Sequence, residues 1–253
     1  MNYQITPIYL GKSRTDRSTL LLRYPPGEAT DITYYAFLLR GEDGETVLFD
    51  TGTPEPEIMQ QPDWKSARLQ DARSYRKEIE KLGVRPEEVS LIILSHLHWD
   101  HSYNLEHFPN ARILVQRKEL HYAVAPQKHE RRPYSMLPGT QGPHWWSGLL
   151  QMEAVDGDCE IGNGIRILET PGHTPGSQSL AVDTADGTVI LTGDLIYCKE
   201  SWETGWPAGT LYSSEDWYRS YEKVKKEGGK IWPSHNLEEF ISAECIFLLE
   251  KRM

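Results

Sequence analysis

Short apolar runs divide the first half of the chain into segments that predict β-strands. ITYYAFLLR (32–40) is β-branched and aromatic, and TVLFD (46–50) is a short apolar run after the turn-like GEDGE. VSLIILSH (89–96) is apolar at most positions, which is typical of a strand that is buried on both faces between helices. ARILVQ (111–116) predicts a further strand directly after it.

Helical spacing of apolar residues appears in three segments. Residues 68–82 place Leu69, Ala72, Ile79 and Leu82 on one face and are followed by Gly83, so they predict a helix. RKELHYAV (117–124) predicts a short helix. SEDWYRSYEKVKKEG (214–228) predicts a longer one, with Ser213 or Ser214 as its N-cap and Gly228 as its end.

The second half returns to strand patterns in GIRILET, SQSLAVD, GTVILTGD and KIWPSH, and the chain closes with an amphipathic segment over 238–251. Residues 125–150 show no period and are rich in Pro, Gly and aromatic residues. A loop of that length usually has a function. Strands with helices between them predict two packed sheets covered by helices. We expect a single domain over 1–253, with a loop-rich insert near 125–150 that covers a pocket.

Composition and charge remove several classes of function. The formal net charge of the 253 residues is −10, whereas a nucleic-acid binder needs a basic face. No apolar run approaches the ~20 residues of a membrane span. Three widely spaced cysteines and the lack of a secretory signal pattern predict a reduced, cytoplasmic protein.

Candidate chemistry is concentrated in HLHWDH (96–101). His96, His98 and Asp100 alternate, so in an extended segment their side chains share one face. His101 breaks the alternation, as expected if the chain turns into a helix there. Ordinary hydrogen bonds could satisfy one histidine, but three imidazoles and a carboxylate in six residues favour zinc or a similar divalent ion.

Three more candidate donors follow predicted strands. His173 lies between two Pro-Gly elements, Asp194 ends an apolar strand, and His235 ends KIWPSH. Each is weak alone, but together with HLHWDH they give five histidines and two aspartates, enough for two metal ions. The other four histidines have no such setting and are interpreted as ordinary: His107, His121, His129 and His144.

The order HLHWDH, PGHTPGS, TGD and PSH resembles the metallo-β-lactamase superfamily over most of the chain. The resemblance implies an α/β (α+β) fold, a four-layer αβ/βα sandwich with the metals at the sheet edges. LFDTG resembles the family segment in which an aspartate, here Asp50, orients a ligand histidine. The first ion would be held by His96, His98 and His173 and the second by Asp100, His101 and His235, with Asp194 bridging the two.

Within the superfamily the chain is most similar to the lactonase branch, which includes N-acyl-homoserine lactonases and pyridoxolactonase. Glyoxalase II-type thioesterases share the ligands but add a C-terminal helical region, and only 18 residues follow His235 here. Tyr197 stands three positions after Asp194, where those lactonases carry a tyrosine that contacts the substrate carbonyl. The alternative for Tyr197 is a packed aromatic.

The resemblance implies a reaction and a cofactor. A hydroxide that bridges two divalent ions, Zn²⁺ with Fe, Mn or Co as alternatives, would open a lactone ring, most simply that of an N-acyl-homoserine lactone. Tyr197 would stabilise the oxyanion and Asp100 would protonate the departing alkoxide. The alternatives are hydrolysis of another small lactone, ester or thioester, and a metal-bound binding protein without turnover. We expect a small-molecule substrate, no nucleic acid, no membrane, and a homodimer as one option.

The pocket wall is the least determined feature. Large flat side chains in irregular segments could cover an acyl chain or an aromatic ring, but could equally form satellite core or a dimer contact. Trp99 has the same two interpretations, since strict alternation would turn it into the core. The candidates are Trp99, Tyr134, Met136, Leu137, Trp145, Trp146 and Trp202, with Trp206 nearby.

Overall fold

The computed structural model describes residues 1–64, 67–136, 142–162 and 164–241. Its strands form a six-stranded sheet in the order β1 to β6 and a five-stranded sheet in the order β11-β10-β9-β8-β7. The first sheet consists of β1 (Tyr3–Asp16), β2 (Ala29–Gly41), β3 (Thr46–Phe49), β4 (Leu91–Ile93), β5 (Arg112–Gln116) and β6 (Met152–Val155). The second consists of β7 (Cys159–Gly162), β8 (Ile165–Glu169), β9 (Gln178–Thr184), β10 (Gly187–Leu191) and β11 (Lys230–Trp232).

Helices lie on the connections between these strands. The α-helices are α1 (Pro56–Met59), α2 (Tyr75–Lys81), α3 (Arg117–Val124), α4 (Lys199–Thr204) and α5 (Ser214–Glu227). Short 3₁₀ turns cover Arg17–Thr19, Pro62–Trp64, Pro86–Glu88, Leu105–His107, His144–Gln151, Gly193–Leu195 and Leu237–Glu239. No helix within the described ranges combines the length and the apolar character needed to cross a membrane.

The two sheets pack face to face because alternate residues of each strand point in opposite directions. Leu91 and Ile93 of β4 join a buried cluster with Ile167 of β8 and Leu180 of β9, which lie in the other sheet. Ile92, between them, points outward and packs in a separate cluster. The inner cluster is therefore the interface between the sheets.

The outer face of each sheet is covered by helices. Ile92 shares its cluster with Ile79 of α2 and Ala123 of α3. On the second sheet, Ile190 of β10 packs in a third cluster with Trp217 and Val224 of α5. Helix, sheet, sheet and helix form the four layers of the predicted sandwich, and the predicted fold class is confirmed.

The prediction of a helix over 68–82 is wrong in its first half. Backbone groups of this part pair with β1 instead: Lys12 N donates to Gln70 O (3.0 Å) and Arg73 N donates to Leu10 O (3.0 Å). Helix α2 begins only at Tyr75, where the Ser74 side chain accepts from Lys77 N (3.2 Å). Pairing with β1 satisfies the backbone as well as a helix does, and the apolar spacing does not distinguish the two.

Other predicted elements agree with the structure more closely. α3 has the predicted bounds, and α5 begins after Ser213, whose Oγ accepts from Asp216 N (3.2 Å). Most of the closing amphipathic segment, from residue 242 onward, lies outside the described residues.

Candidate metal centre

The predicted metal donors, and Asp50 that was predicted to orient one of them, lie beyond the carboxyl ends of strands, at one edge of the sandwich. Asp50 follows β3, and His96 follows the neighbouring parallel strand β4. In the second sheet, Asp194 follows β10 and His235 follows the parallel strand β11. His173 follows β8, which runs in the same direction as β10 because both are antiparallel to β9. Strand direction therefore brings these loops together.

A tight turn aims the second half of HLHWDH back at the first. His101 N and Ser102 N both donate to His98 O (3.1 Å each), and the His101 ring lies 4.2 Å from the His96 ring between centroids. The turn does not continue into the helix that the sequence predicted. A 3₁₀ turn follows only at Leu105. The turn still places the His101 ring next to the His96 ring.

The donors form overlapping groups in which all ligand atoms lie within 4.8 Å of one another. The groups are His96 with His98 and His173; His96 with His101 and Asp194; and Asp100 with His101 and His235. The structure thus brings together all seven predicted donors.

The Asp194 carboxylate lies between two of these groups, the first donor group (His96, His98 and His173) and the second donor group (Asp100, His101 and His235). Its Oδ2 is 3.3 Å from His173 Nε2, and its Oδ1 is 3.1 Å from both His101 Nε2 and His235 Nε2. Each oxygen faces a different group, which is the arrangement that a bridging ligand needs.

Hydrogen bonds on the far side of three rings fix which nitrogen faces the site. His173 Nδ1 donates to Thr210 O (2.9 Å), and His235 Nδ1 donates to Thr33 O (2.8 Å). His101 Nδ1 lies 2.8 Å from Asp50 Oδ2. With Nδ1 protonated, each Nε2 presents a lone pair inward, as in histidine ligands of metals.

Several buried polar atoms at the centre have no hydrogen-bond partner among the described residues. These atoms are the Nε2 nitrogens of His96, His98 and His101 and the Oδ1 oxygen of Asp194. Buried polar atoms without a partner are rare because their desolvation is costly. Imidazole nitrogen and carboxylate oxygen are donors for zinc and other first-row divalent ions. The residues therefore fit two divalent cations.

The protonation states of His96, His98 and Asp194 favour the same conclusion. Burial, together with the neighbouring histidines, holds the pKa of His96 and His98 well below the usual value, so both rings are neutral. Burial alone would raise the pKa of Asp194, but His101, His235 and His173 outweigh it and hold that pKa well below its usual value. Neutral imidazoles and an ionised carboxylate are the forms that bind cations. For His101 and His235, burial alone would lower the pKa, but the carboxylates of Asp194 and Asp100 outweigh it and raise that pKa.

Tyr197 lies against the bridging carboxylate. Its hydroxyl donates to Asp194 Oδ2 (2.7 Å), and its ring lies 4.8 Å from the His235 ring between centroids. Burial and the nearby Asp194 raise the pKa of Tyr197 well above its usual value. The phenol therefore stays protonated and is available as a hydrogen-bond donor.

Trp99 is partly buried in an aromatic group beside the second donor group. Its ring lies 5.3 Å from Trp64 and 5.9 Å from Tyr34, and Tyr34 lies edge-on to His235 at 5.0 Å. On the other side, the fully buried Tyr134 lies edge-on to His98 at 4.6 Å. These aromatic rings flank the donors on two sides.

The remaining pocket candidates are divided between core and surface. Trp145 is only 1% exposed within the outer cluster of the first sheet, and Trp202 packs on Tyr221 of α5 at 5.2 Å, so both favour the core alternative. Met136 is partly buried against the same cluster as Trp145, whereas Trp146 is 54% exposed. Leu137 lies outside the described residues.

Sequence reasoning missed several residues that support the site. Ser95 Oγ donates to Asp50 Oδ2 (2.8 Å) and lies 3.0 Å from His96 Nδ1. His144, interpreted as ordinary, lies 2.9 Å from Ser102 Oγ through its Nε2 and 2.9 Å from Ser135 Oγ through its Nδ1. Proximity to HLHWDH could have suggested Ser95, but no local pattern marks His144.

Known proteins resemble the chain over most of its length. The family model of the metallo-beta-lactamase superfamily matches residues 29–234. An N-acyl homoserine lactonase from Bacillus sp is 32% identical over 241 residues, which cover 90% of this chain and 91% of that protein.

Solved structures agree with the sequence comparison. A B. thuringiensis AiiA variant with N-decanoyl-L-homoserine bound at its active site superposes with a TM-score of 0.78 at 29% identity, covering 94% of this chain and 95% of the other. An N-acyl homoserine lactone hydrolase with N-hexanoyl-L-homoserine at its catalytic metal centre gives a TM-score of 0.76 at 29% identity, covering 94% and 95%. Together with the family match and the geometry of the centre, these likenesses establish that the chain belongs to the metallo-beta-lactamase superfamily.

Proposed function

We propose that the protein is a metal-dependent hydrolase that opens the ring of N-acyl homoserine lactones. One observation carries the proposal: Asp194 joins two groups of histidine donors and also accepts the hydrogen bond of Tyr197. The lactonases that resemble the chain over nine-tenths of its length support the choice of substrate.

The donor set supports two divalent ions, for which we propose zinc, with iron, manganese or cobalt as alternatives. His96, His98 and His173 would hold one ion and Asp100, His101 and His235 the other, with Asp194 between them. When bound, two such ions supply a water of lowered pKa as nucleophile and a Lewis acid for the ester carbonyl. Asp50, Thr33 and Thr210 keep three of the imidazoles in the orientation that this requires.

Tyr197 would act on the carbonyl oxygen of the lactone. Its hydroxyl is protonated, buried and adjacent to Asp194, so it can donate to an oxygen that gains negative charge as the ring carbonyl becomes tetrahedral. The packed ring can stay in place while the hydroxyl exchanges its hydrogen bond from Asp194 Oδ2 to that oxygen.

Asp100 would move the proton to the departing ring oxygen. Its side chain is 13% exposed, compared with 2% for Asp194, so a substrate can approach it more easily. Its Oδ2 also lies 3.6 Å from His235 Nε2 and 3.7 Å from His101 Nε2, within the second donor group. A carboxylate at this place can take up the proton that the attacking water loses and give it to the departing alkoxide.

The aromatic group of Trp99, Trp64 and Tyr34 would bind the apolar part of the substrate. Trp99 and Trp64 are partly buried rings next to a polar centre, which is typical of small-molecule sites, whereas Tyr34 is buried. Tyr134 and Met136, from the loop-rich insert near 125–150, would border the opposite side. The single domain over 1–253, the homodimer, the cytoplasmic location and the exclusion of nucleic acid and membrane remain predictions from the sequence.

A pH-indicator assay of the zinc-loaded protein across a substrate panel tests the proposal. The panel contains acyl-homoserine lactones of several chain lengths, an aromatic lactone, a glutathione thioester and a β-lactam. We expect turnover of the acyl-homoserine lactones with the highest kcat/KM in the panel. Turnover of the thioester alone, or of no member of the panel, would reject the proposed function. A higher kcat/KM on the aromatic lactone would show that the substrate is another small lactone.

A further inference from the structure

Glu119 is a buried carboxylate that the proposed reaction does not use. It lies in the first turn of α3, outside the donor set, and its exposed fraction is 0%. An isolated ionised carboxylate is costly to bury and is tolerated where hydrogen bonds compensate for lost water. The groups that bond to Glu119 therefore indicate its function.

Three donors from three separate segments meet on this carboxylate. Oε1 accepts from Leu97 N (3.0 Å) and from the Tyr134 hydroxyl (2.7 Å). Oε2 accepts from Thr174 Oγ1 (2.6 Å). Burial raises the pKa of Glu119, and these three hydrogen bonds oppose that shift, so they stabilise the ionised carboxylate and fix the three segments relative to one another.

Each of these three hydrogen-bond donors is next in sequence to, or in contact with, a histidine of the first group of metal donors. Leu97 separates His96 from His98, and Thr174 directly follows His173. The Tyr134 ring packs edge-on against His98 at 4.6 Å. Among the described residues, no hydrogen bond joins Glu119 to Asp100, His101 or His235.

Close backbone packing strengthens the link between α3 and the loop that carries His173. A Cβ at Gly176 would lie 2.1 Å from Glu119 N, so only glycine allows the loop to come this near. The Glu119 side chain thus connects the HLHWDH segment, which follows a strand of the first sheet, with the His173 loop, which follows a strand of the second.

We propose that Glu119 is a positioning residue that holds His96, His98 and His173 in place for the first metal ion. The inference rests on the proposed metal site, but not on the identity of the substrate. Loss of the carboxylate would release the HLH segment and the His173 loop from each other, and the first ion would be bound more weakly than the second.

Zinc binding by Glu119→Ala tests the proposal without reference to activity. We expect the affinity of the protein for one of the two ions, measured by competition with a chromophoric chelator, to fall about tenfold to a hundredfold. A loss of this size is typical when a residue that orients metal ligands is removed. Glu119→Gln should recover part of the affinity, because the Thr174 hydroxyl can turn to accept from the new amide.

Glu78→Ala is the matched control. Glu78 is also a buried helical carboxylate, but it pairs with Lys81 on α2 (2.9 Å). This variant should bind both ions as the wild type does. Circular dichroism checks that each variant folds. If Glu119→Ala does not fold, Thr174→Val removes one of the three hydrogen bonds to Glu119 with little change of volume.

Unchanged affinity for both ions in folded Glu119→Ala, or in Thr174→Val if the alanine variant does not fold, would overturn the proposal. Equal weakening in Glu78→Ala would also overturn it, since the effect would then be general. A wild-type protein that binds two ions tightly but opens no lactone would reject the proposed function and leave this inference standing.

Discussion

At the scale of single residues, Asp194 and Tyr197 share one hydrogen bond but have separable roles. Asp194 faces histidines of both donor groups, whereas Tyr197 contacts the centre through its hydroxyl and through ring contacts with His173 and His235. Their substitutions should therefore affect metal content and turnover differently.

Replacing Tyr197 with Phe removes the hydroxyl and keeps the packed ring. We expect kcat on an acyl-homoserine lactone to fall about tenfold to a hundredfold, since one oxyanion donor is lost while bound cations still stabilise the charge. Zinc content, measured by atomic emission, should stay at the wild-type level. Unchanged kinetics would remove Tyr197 from the mechanism.

Replacing Asp194 with Asn keeps the shape but removes the negative charge that faces His101, His173 and His235. We expect metal content and activity to fall together, because a neutral amide is a poor bridging ligand between two cations. The comparison is made after identical zinc loading and dialysis. Full metal content in Asp194→Asn would show that the carboxylate does not bridge the two ions.

At the scale of secondary structure, α5 shows what a capping residue contributes. The sequence left Ser213 and Ser214 as alternative N-caps, and the structure selects Ser213, which accepts from Asp216 N. Ser213→Ala should lower the free energy of unfolding by about 1 kcal/mol in urea denaturation, with zinc content unchanged. Ser214→Ala is the control. An equal loss in both variants would contradict the assignment of the cap.

The sequence predicted the elements whose structure depends on nearby residues, but not those whose structure depends on a partner that is distant in sequence. α5 carries its own cap and its own glycine end at Gly228, so its bounds could be read from the sequence. Residues 69–73 have apolar spacing that suits a helix, yet their backbone pairs with Lys12 and Leu10 of β1. Only the folded chain provides that partner.

The same distinction holds for the candidate centre. The donors follow strands and combine residue types that bind metals, so the sequence could identify all seven as candidates. His235 and His173 are oriented by the backbone carbonyls of Thr33 and Thr210. Every residue has such a carbonyl, so the residue type does not reveal this role. Glu119 looks like any polar position on a short helix until the fold buries it.

At the scale of the whole molecule, the centre joins the two sheets. HLHWDH extends from the first sheet, while His173, Asp194 and His235 extend from the second. Neither sheet alone presents the whole first donor group, since His96 and His98 come from the first sheet and His173 comes from the second. The sandwich itself is therefore the device that assembles the site.

The most direct test of the two-metal lactonase is a zinc titration of activity. Metal-free protein is given increasing equivalents of Zn²⁺, and the initial rate of opening of an acyl-homoserine lactone is measured at each step. We predict no turnover without metal and a rate that reaches its plateau near two equivalents per chain. A plateau near one equivalent, or full activity in the metal-free protein, would contradict the account.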